Sequence, residues 1–141
     1  MKDTDNLLNQ LKNSQDLESL SSYLSTIETE YPDSISEYLK SILKERHLSM
    51  ADAIKKSRIE RTYCYQIFNG RKKPGRDKLL AIALALNLSF EETQRLLEIA
   101  NEGVLYARSK RDSILIYSLN HKMSVLDTNF LLNQYSESEL R

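Results

Sequence analysis

The chain of 141 residues has little of what cross-links or breaks a small protein: one cysteine, three glycines, two prolines and no tryptophan. The single cysteine, Cys64, excludes an internal disulfide framework and is typical of a reducing compartment. Few glycines and prolines leave long stretches without a helix breaker. No run of alternating Val, Ile and Thr bounded by turn residues predicts a strand. The composition therefore predicts an all-α protein.

Long hydrophobic runs and enzyme motifs are missing as well. The longest apolar run, LLAIALAL at 79–86, is too short to span a bilayer, and no apolar signal segment stands near the first residue. There is no glycine-rich phosphate loop and no Ser, His and Asp constellation. His47 and His121 have no second ligand at metal spacing. We expect a cytoplasmic protein with no membrane contact, no cofactor, no metal and no enzyme activity.

Charge is balanced overall, with 20 basic and 20 acidic residues, but it is unevenly distributed. Residues 1–34 hold two Lys against seven Asp or Glu, a net charge of −5. Residues 44–78 hold eleven Lys or Arg against four acidic residues, a net charge of +7. A basic segment interleaved with tyrosines, a glutamine and an asparagine is typical of a surface that meets nucleic acid.

Capping and apolar spacing predict three helices within residues 35–70. Ser34 and Glu37 form a capping box before the first, Ser49 caps the second, and Thr62 or Glu60 opens the third. The inward face of the third helix would carry Cys64, Ile67 and Phe68, and Asn69-Gly70 stops it because glycine accepts a left-handed conformation. Two short helices joined by a tight turn make a helix-turn-helix by pattern alone.

The chain then repeats itself. RDKLLAIALALNLSFEETQRLLEIANEGVL at 76–105 aligns without gaps on RDSILIYSLNHKMSVLDTNFLLNQYSESEL at 111–140, with ten identical positions. Each copy has the pattern of a helix, a short polar turn, a Ser N-cap (Ser89 or Ser124) and a second helix. We therefore predict a duplicated helical hairpin whose copies pack against each other.

The N-terminal segment carries an apolar stripe at helical spacing, formed by Leu17, Leu20, Leu24 and Ile27. The first hairpin belongs to the helix-turn-helix frame, so the second has surplus apolar surface. We predict that residues 1–34 pack on residues 106–141, within a chain or across a dimer.

LSMADAIKKSRIERTYCYQIFNGRKKP, beginning at Leu48, resembles the helix-turn-helix of Xre-family regulators, the group of the phage lambda repressor and Cro. NGRKKPGRDKLLAIALALNLSFEE is similar to that family's fourth and fifth helices. The resemblance implies a five-helix, lambda-repressor-like DNA-binding domain at 35–105. It would be flanked by an N-terminal helical extension at 1–34 and a C-terminal helical hairpin at 106–141. Where the family usually has a turn glycine, this chain has Arg58, which must accept a positive φ or reshape the turn at a cost of about 1 kcal/mol or more.

The resemblance also implies which side chains meet DNA, because the second helix of such a motif enters the major groove. Base edges would be read by Arg61, Thr62, Tyr63, Tyr65 and Gln66, since Arg fits guanine, Gln fits adenine and Thr meets the thymine methyl group. Phosphates would be bound by a set around the groove. That set comprises Lys55, Lys56, Asn69, Arg71, Lys72, Lys73 and Arg76.

Two functions follow from these features. The first is a sequence-specific regulator of transcription that binds double-stranded DNA as a homodimer, because one such helix contacts few base pairs and two half-sites supply the missing affinity. The alternative is a protein-interaction module, an antitoxin or adaptor, that keeps the same helical frame and binds a protein partner through 1–34 and 106–141.

Overall fold

The computed structural model describes residues 17–30 and 34–141, and the chain divides before Ser34 into two units. Residues 1–16 and 31–33 of the predicted N-terminal extension lie outside the described residues. The described part contains eight α-helices and no strand, which confirms the all-α prediction. The helices are α1 Leu17–Glu30, α2 Ile35–Glu45, α3 Met50–Ser57, α4 Arg61–Phe68, α5 Arg76–Ala85, α6 Phe90–Ile99, α7 Lys110–Asn120 and α8 Val125–Gln134.

Helix α1 is the described part of the first unit. Three members of its predicted apolar stripe are exposed: Leu17 by 83%, Leu20 by 36% and Leu24 by 50%. The side chain of Ile27, the fourth member, lies outside the described residues. The predicted packing of 1–34 on 106–141 therefore stays a prediction.

Serines open most of the helices in the second unit. Each accepts a hydrogen bond from the backbone N–H three residues further on, and such a cap is worth about 1 kcal/mol. These serines are Ser34, Ser49, Ser89, Ser109 and Ser124. At Ser89 the backbone N–H also donates to the Glu92 carboxylate, so these two residues form a capping box.

Helices α2 to α6 share one core. Cys64, Ile67 and Phe68 on α4 are 0%, 1% and 0% exposed, which confirms the predicted inward face. Burial raises the pKa of the Cys64 thiol, and its Sγ lies 3.6 Å from the buried hydroxyl of Ser57. Helix α3 packs on α4 and α5, while α2 packs on α4 and α6. Together they hold α4 with its opposite face to solvent.

The sequence repeat is a repeat of structure. Helices α5 and α6 form the first hairpin, and α7 and α8 form the second. Asn87 and Lys122, at the turns between the helices, have φ angles of 53° each. Asn101 and Ser136, which end the second helix of each copy, have φ angles of 57° and 60°. Left-handed residues therefore recur at equivalent positions, as a duplicated hairpin requires.

Reciprocal ion pairs join the two hairpins. Arg76 of the first hairpin donates two hydrogen bonds to the Asp112 carboxylate, at 3.0 and 2.8 Å. Arg111, the repeat equivalent of Arg76, donates two to Asp77, the equivalent of Asp112, at 3.0 Å each. An exchange in which each copy gives what it receives is the signature of two-fold packing, here within one chain.

No helix among the residues that the structure describes is long and apolar enough to cross a membrane. Within the same residues, no group of His, Cys, Asp and Glu side chains is arranged to hold a metal ion.

Candidate nucleic-acid interface

The turn between α3 and α4 is short and tightly bonded. Arg58 takes the left-handed conformation with φ 59°, one of the two outcomes that the sequence left open. The Ser57 hydroxyl donates to the carbonyl oxygen of Ile54 at 2.6 Å and accepts from the N–H of Ile59 at 3.2 Å. These bonds fix the direction in which α4 leaves the turn.

Glu60, rather than Thr62, caps α4. Its two carboxylate oxygens accept hydrogen bonds from the backbone N–H groups of Thr62 at 3.0 Å and Tyr63 at 2.8 Å. These bonds hold the pKa of Glu60 below its ordinary value, because they favour the charged carboxylate. The N–H groups of Thr62 and Tyr63 are therefore already occupied within the chain.

The outer face of α4 forms an open depression lined by polar and cationic side chains. Its lining residues are Arg61, Thr62, Tyr65, Gln66, Asn69 and Arg71. Four of the five predicted base readers lie together there, beside two members of the predicted phosphate set. Tyr65 is 51% exposed, so its ring is accessible from solvent.

Tyr63, the fifth predicted base reader, lies elsewhere. It is half-buried and packs against the core. The ammonium group of Lys78 lies 5.7 Å from the centre of its ring, a cation–π distance. Tyr63 therefore lies apart from the other four predicted readers, and its role in reading bases stays a prediction.

The loop after α4 presents three exposed cations, Arg71, Lys72 and Lys73. Gly70 has a φ of 78°, which confirms the predicted helix stop. The N–H groups of Arg71 and Lys72 both donate to the carbonyl oxygen of Gln66, at 2.8 and 3.3 Å. This turn holds the start of the cationic loop against the end of α4.

Lys55 and Lys56 are exposed on the last turn of α3 and line a different groove. Arg58 and Lys122 line the same groove, and the sequence reading placed neither in the phosphate set. Arg58 could have been found from the sequence, because it belongs to the basic segment at 44–78. Lys122 has no such signal, because only the packing of the second hairpin brings it beside α3.

Arg76 is the one predicted phosphate ligand that the structure places in an internal contact. Besides its two bonds to Asp112, it donates to the carbonyl oxygens of Gly103 at 2.7 Å and Val104 at 3.1 Å. Its side chain is 24% exposed. Its donors therefore have partners that join the hairpins, and its role as a phosphate ligand stays a prediction.

Residues 39–92 match the family model HTH_3, a helix-turn-helix. The match begins in α2 and ends in the first turn of α6, so it contains the turn, α4 and the cationic loop. No curated protein and no solved structure matches the chain. The region matched by the model is a helix-turn-helix domain of the Xre and lambda-repressor-like family of DNA-binding regulators.

Proposed function

We propose that the chain regulates transcription by binding specific sequences of double-stranded DNA as a homodimer. The observation that carries this proposal is the depression on α4, where side chains suited to base edges line one face of the second helix of the motif. In this family geometry, that helix enters the major groove.

Arg61 and Gln66 are the principal readers in this proposal. Arg61 is exposed at the start of α4, and Gln66 lies about one and a half turns further along. Arg can donate two hydrogen bonds to guanine, while the Gln amide can both donate to and accept from adenine. Thr62 and Tyr65 flank them and offer apolar contact, which suits a thymine methyl group.

Phosphate binding falls to the cationic loop at 71–73. Its three side chains are exposed and adjoin the depression through Arg71. Cations in such a place replace counterions along the DNA backbone, which makes the affinity depend on salt. They orient the domain on DNA but read no base.

The homodimer follows from energetics. One helix of this length contacts few base pairs, and two copies on half-sites about one helical turn apart provide the affinity and specificity of a regulator. The assembly also lets a two-fold protein read a two-fold DNA site.

A salt-titrated gel shift against the DNA upstream of the chain's own gene tests the proposal, with a scrambled duplex of equal length as control. We expect a complex on the upstream DNA that withstands competitor and weakens steadily as salt rises. Equal retention of both duplexes would contradict specific binding.

The alternative, a protein-interaction module, is supported by a different surface. Phe130 on the second hairpin is 74% exposed and Tyr117 is 51% exposed, and large exposed apolar patches mark interaction sites. An antitoxin or adaptor would bind its partner there. In that case substitutions in α4 would leave its partner binding unchanged.

A further inference from the structure

The outer faces of the two hairpins differ in how they are covered. In the first hairpin Leu86 is 3% exposed, and Arg95 is half-buried. Their repeat equivalents in the second hairpin, His121 and Phe130, are exposed, Phe130 by 74%. An aromatic ring so exposed at a place that is covered in the first copy indicates that a cover is missing from the second copy.

Helix α2 is the cover on the first hairpin. The Tyr38 hydroxyl donates to the carbonyl oxygen of Glu92 at 3.3 Å, and the Arg95 guanidinium lies 6.0 Å from the centre of the Tyr38 ring. At its C-terminal end, Arg46 donates to the carbonyl oxygen of Leu86 at 3.5 Å and forms an ion pair with Glu92. The C-terminus of α2 therefore lies beside the turn between α5 and α6.

Helix α1 resembles α2 in sequence. LSSYLSTIETE at 20–30 aligns without gaps on ISEYLKSILKE at 35–45, with five identities in eleven positions. The identical pairs are Ser21/Ser36, Tyr23/Tyr38, Leu24/Leu39, Ile27/Ile42 and Glu30/Glu45. Three of the four buried residues of α2 recur at the same spacing; the departure is Glu28 in the place of Leu43. The chain thus repeats the covering helix as well as the hairpin.

We propose that α1 of a second copy of this chain docks on the second hairpin in the place that α2 takes on the first. Tyr23 would then lie against Phe130, because Phe130 replaces the Arg95 that faces the Tyr38 ring. An aromatic pair replaces a cation–π contact. The second hairpin would provide an apolar surface on which the stripe of α1 can pack.

Charge supports the same orientation. Helix α1 has three acidic residues and no cation, and two of them, Glu28 and Glu30, lie in its last turn. In the proposed place, that end lies at the turn between α7 and α8, beside Lys122 and His121. A cation near a helix C-terminus is favourable for the acidic side chains there and for the helix dipole.

We take a second copy as the source of α1, and this choice rests on the homodimer proposed above. Leu17 and Leu24 on α1 are 83% and 50% exposed, and Phe130 on the second hairpin is 74% exposed. When two chains exchange α1 across a two-fold axis, each α1 covers the second hairpin of the other chain. The two contacts are equivalent, and they close the assembly. The contact does not depend on DNA.

Cross-linking between two differently labelled chains tests this source. One chain carries Tyr23→Cys and the other Phe130→Cys; they are mixed and treated with a short bismaleimide. The native Cys64 is buried, and its raised thiol pKa keeps it unreactive. We expect a covalent dimer containing both labels. The control pair, Tyr23→Cys with Glu98→Cys, uses an exposed residue on the first hairpin and should stay at background.

Two results would overturn the proposal. If only the double variant Tyr23→Cys/Phe130→Cys reacts, and reacts within one chain, then α1 docks on its own chain. If neither preparation reacts above the control pair, the second hairpin is not the docking surface of α1.

Light scattering on purified chains gives an independent measurement without DNA. The parent should have twice the mass of the 16.4 kDa chain. The variant Phe130→Asp should have the mass of a single chain. Its melting temperature should stay above that of Leu132→Ala, which shows that the variant is folded. Tyr106→Asp, at a residue that is 59% exposed outside this face, should leave the mass doubled. A parent of single-chain mass at micromolar concentration would contradict the proposal. A parent of single-chain mass would contradict the proposed homodimer too, whereas a doubled mass without the cross-link would contradict only the docking of α1. No arm contains DNA, so the gel shift tests DNA binding separately.

Discussion

The two hairpins of this chain fold alike and differ in what lies on them. Within each copy, the guanidinium of the leading arginine donates to two carbonyl oxygens near the end of that copy: Arg76 to those of Gly103 and Val104, and Arg111 to those of Ser138 and Glu139. Other positions differ in burial as well as identity: Ile82 is fully buried, whereas its equivalent Tyr117 is 51% exposed. Contacts internal to the duplicated frame were kept, whereas positions facing other elements changed with the element.

The two hairpins also differ in whether they support the helix-turn-helix. The first hairpin supports the helix-turn-helix, and α3 packs along α5. The second hairpin has no such motif on its outer face among the residues that the structure describes. The duplication therefore supplies a second surface on a frame whose first copy supports the helix-turn-helix.

The largest effects should come from positions that both copies bury fully. Leu97 and its equivalent Leu132 are each 0% exposed. We expect Leu97→Ala and Leu132→Ala to lower the free energy of unfolding by about 2–5 kcal/mol each, because each leaves a cavity. Chemical denaturation checks this. A cost below about 1 kcal/mol for Leu132→Ala alone would show that the second hairpin is not part of the same cooperative core.

The reciprocal ion pairs should be unequal. The side chain of Asp112 is 8% exposed and that of Asp77 is 26% exposed. We expect Asp112→Ala to cost about 1–3 kcal/mol, because it also leaves the N–H of Tyr106 without its acceptor. Asp77→Ala should cost about 1 kcal/mol or less. Equal losses in denaturation curves would contradict the asymmetry.

The ion pair between Arg76 and Asp112 should also make the stability of the chain depend on pH in the acidic range. Burial alone would raise the pKa of Asp112, but hydrogen bonds from Arg76 and from the N–H of Tyr106 outweigh it and hold the pKa below its ordinary value. A depressed carboxyl pKa contributes stability that is present above the unfolded pKa and is lost as the pH falls through the folded value. We expect Asp112→Asn to flatten the loss of stability below about pH 4, measured by urea unfolding in acidic buffers. An unchanged acid profile would exclude this pair as a cause.

Sequence reasoning predicted well whatever depends on neighbouring residues. The serine caps, the stop at Gly70 and the strained Arg58 are decided within one turn of chain, so local chemistry sufficed. The repeat was visible because its internal contacts preserved residue identity. The partner of Arg76 was not visible in the sequence, because Asp112 is 36 residues away and only the fold brings the two side chains together. The role of Arg76 as a phosphate ligand stays a prediction. Periodicity also did not show that the ring of Tyr63 packs against the core beside Lys78, and its role as a base reader stays a prediction.

The outer face of α4, which we propose to face DNA, should respond to substitution without loss of stability. We expect Arg61→Ala and Gln66→Ala each to cost about 1–3 kcal/mol at particular base positions, with melting temperatures little changed because neither faces the core. Fluorescence anisotropy on a panel of singly changed duplexes checks this. Arg108→Ala, an exposed cation between the hairpins, is the matched control and should leave base preference alone. Uniform loss across all duplexes would show that Arg61 and Gln66 touch only phosphate.

The smallest expected effect concerns the cationic loop. Lys72→Ala and Lys73→Ala should weaken binding to every duplex alike, and each lost phosphate contact should flatten the slope of log affinity against log salt by about 0.9. The same titration on Lys110→Ala gives the comparison from the second hairpin, where the ammonium group already donates to the carbonyl oxygen of Tyr135. Unchanged slopes in the loop variants would remove these lysines from the interface.

Selection from a random duplex library with the full-length chain tests specific DNA binding most directly. Bound duplexes are sequenced over successive rounds and compared with those retained by the double variant Arg61→Ala/Gln66→Ala. We expect the parent to enrich two inverted half-sites whose centres lie about 10 base pairs apart, and the double variant to lose the preference at the bases that these side chains contact. Retention of all sequences in proportion to the input, by parent and variant alike, would contradict sequence-specific recognition through α4.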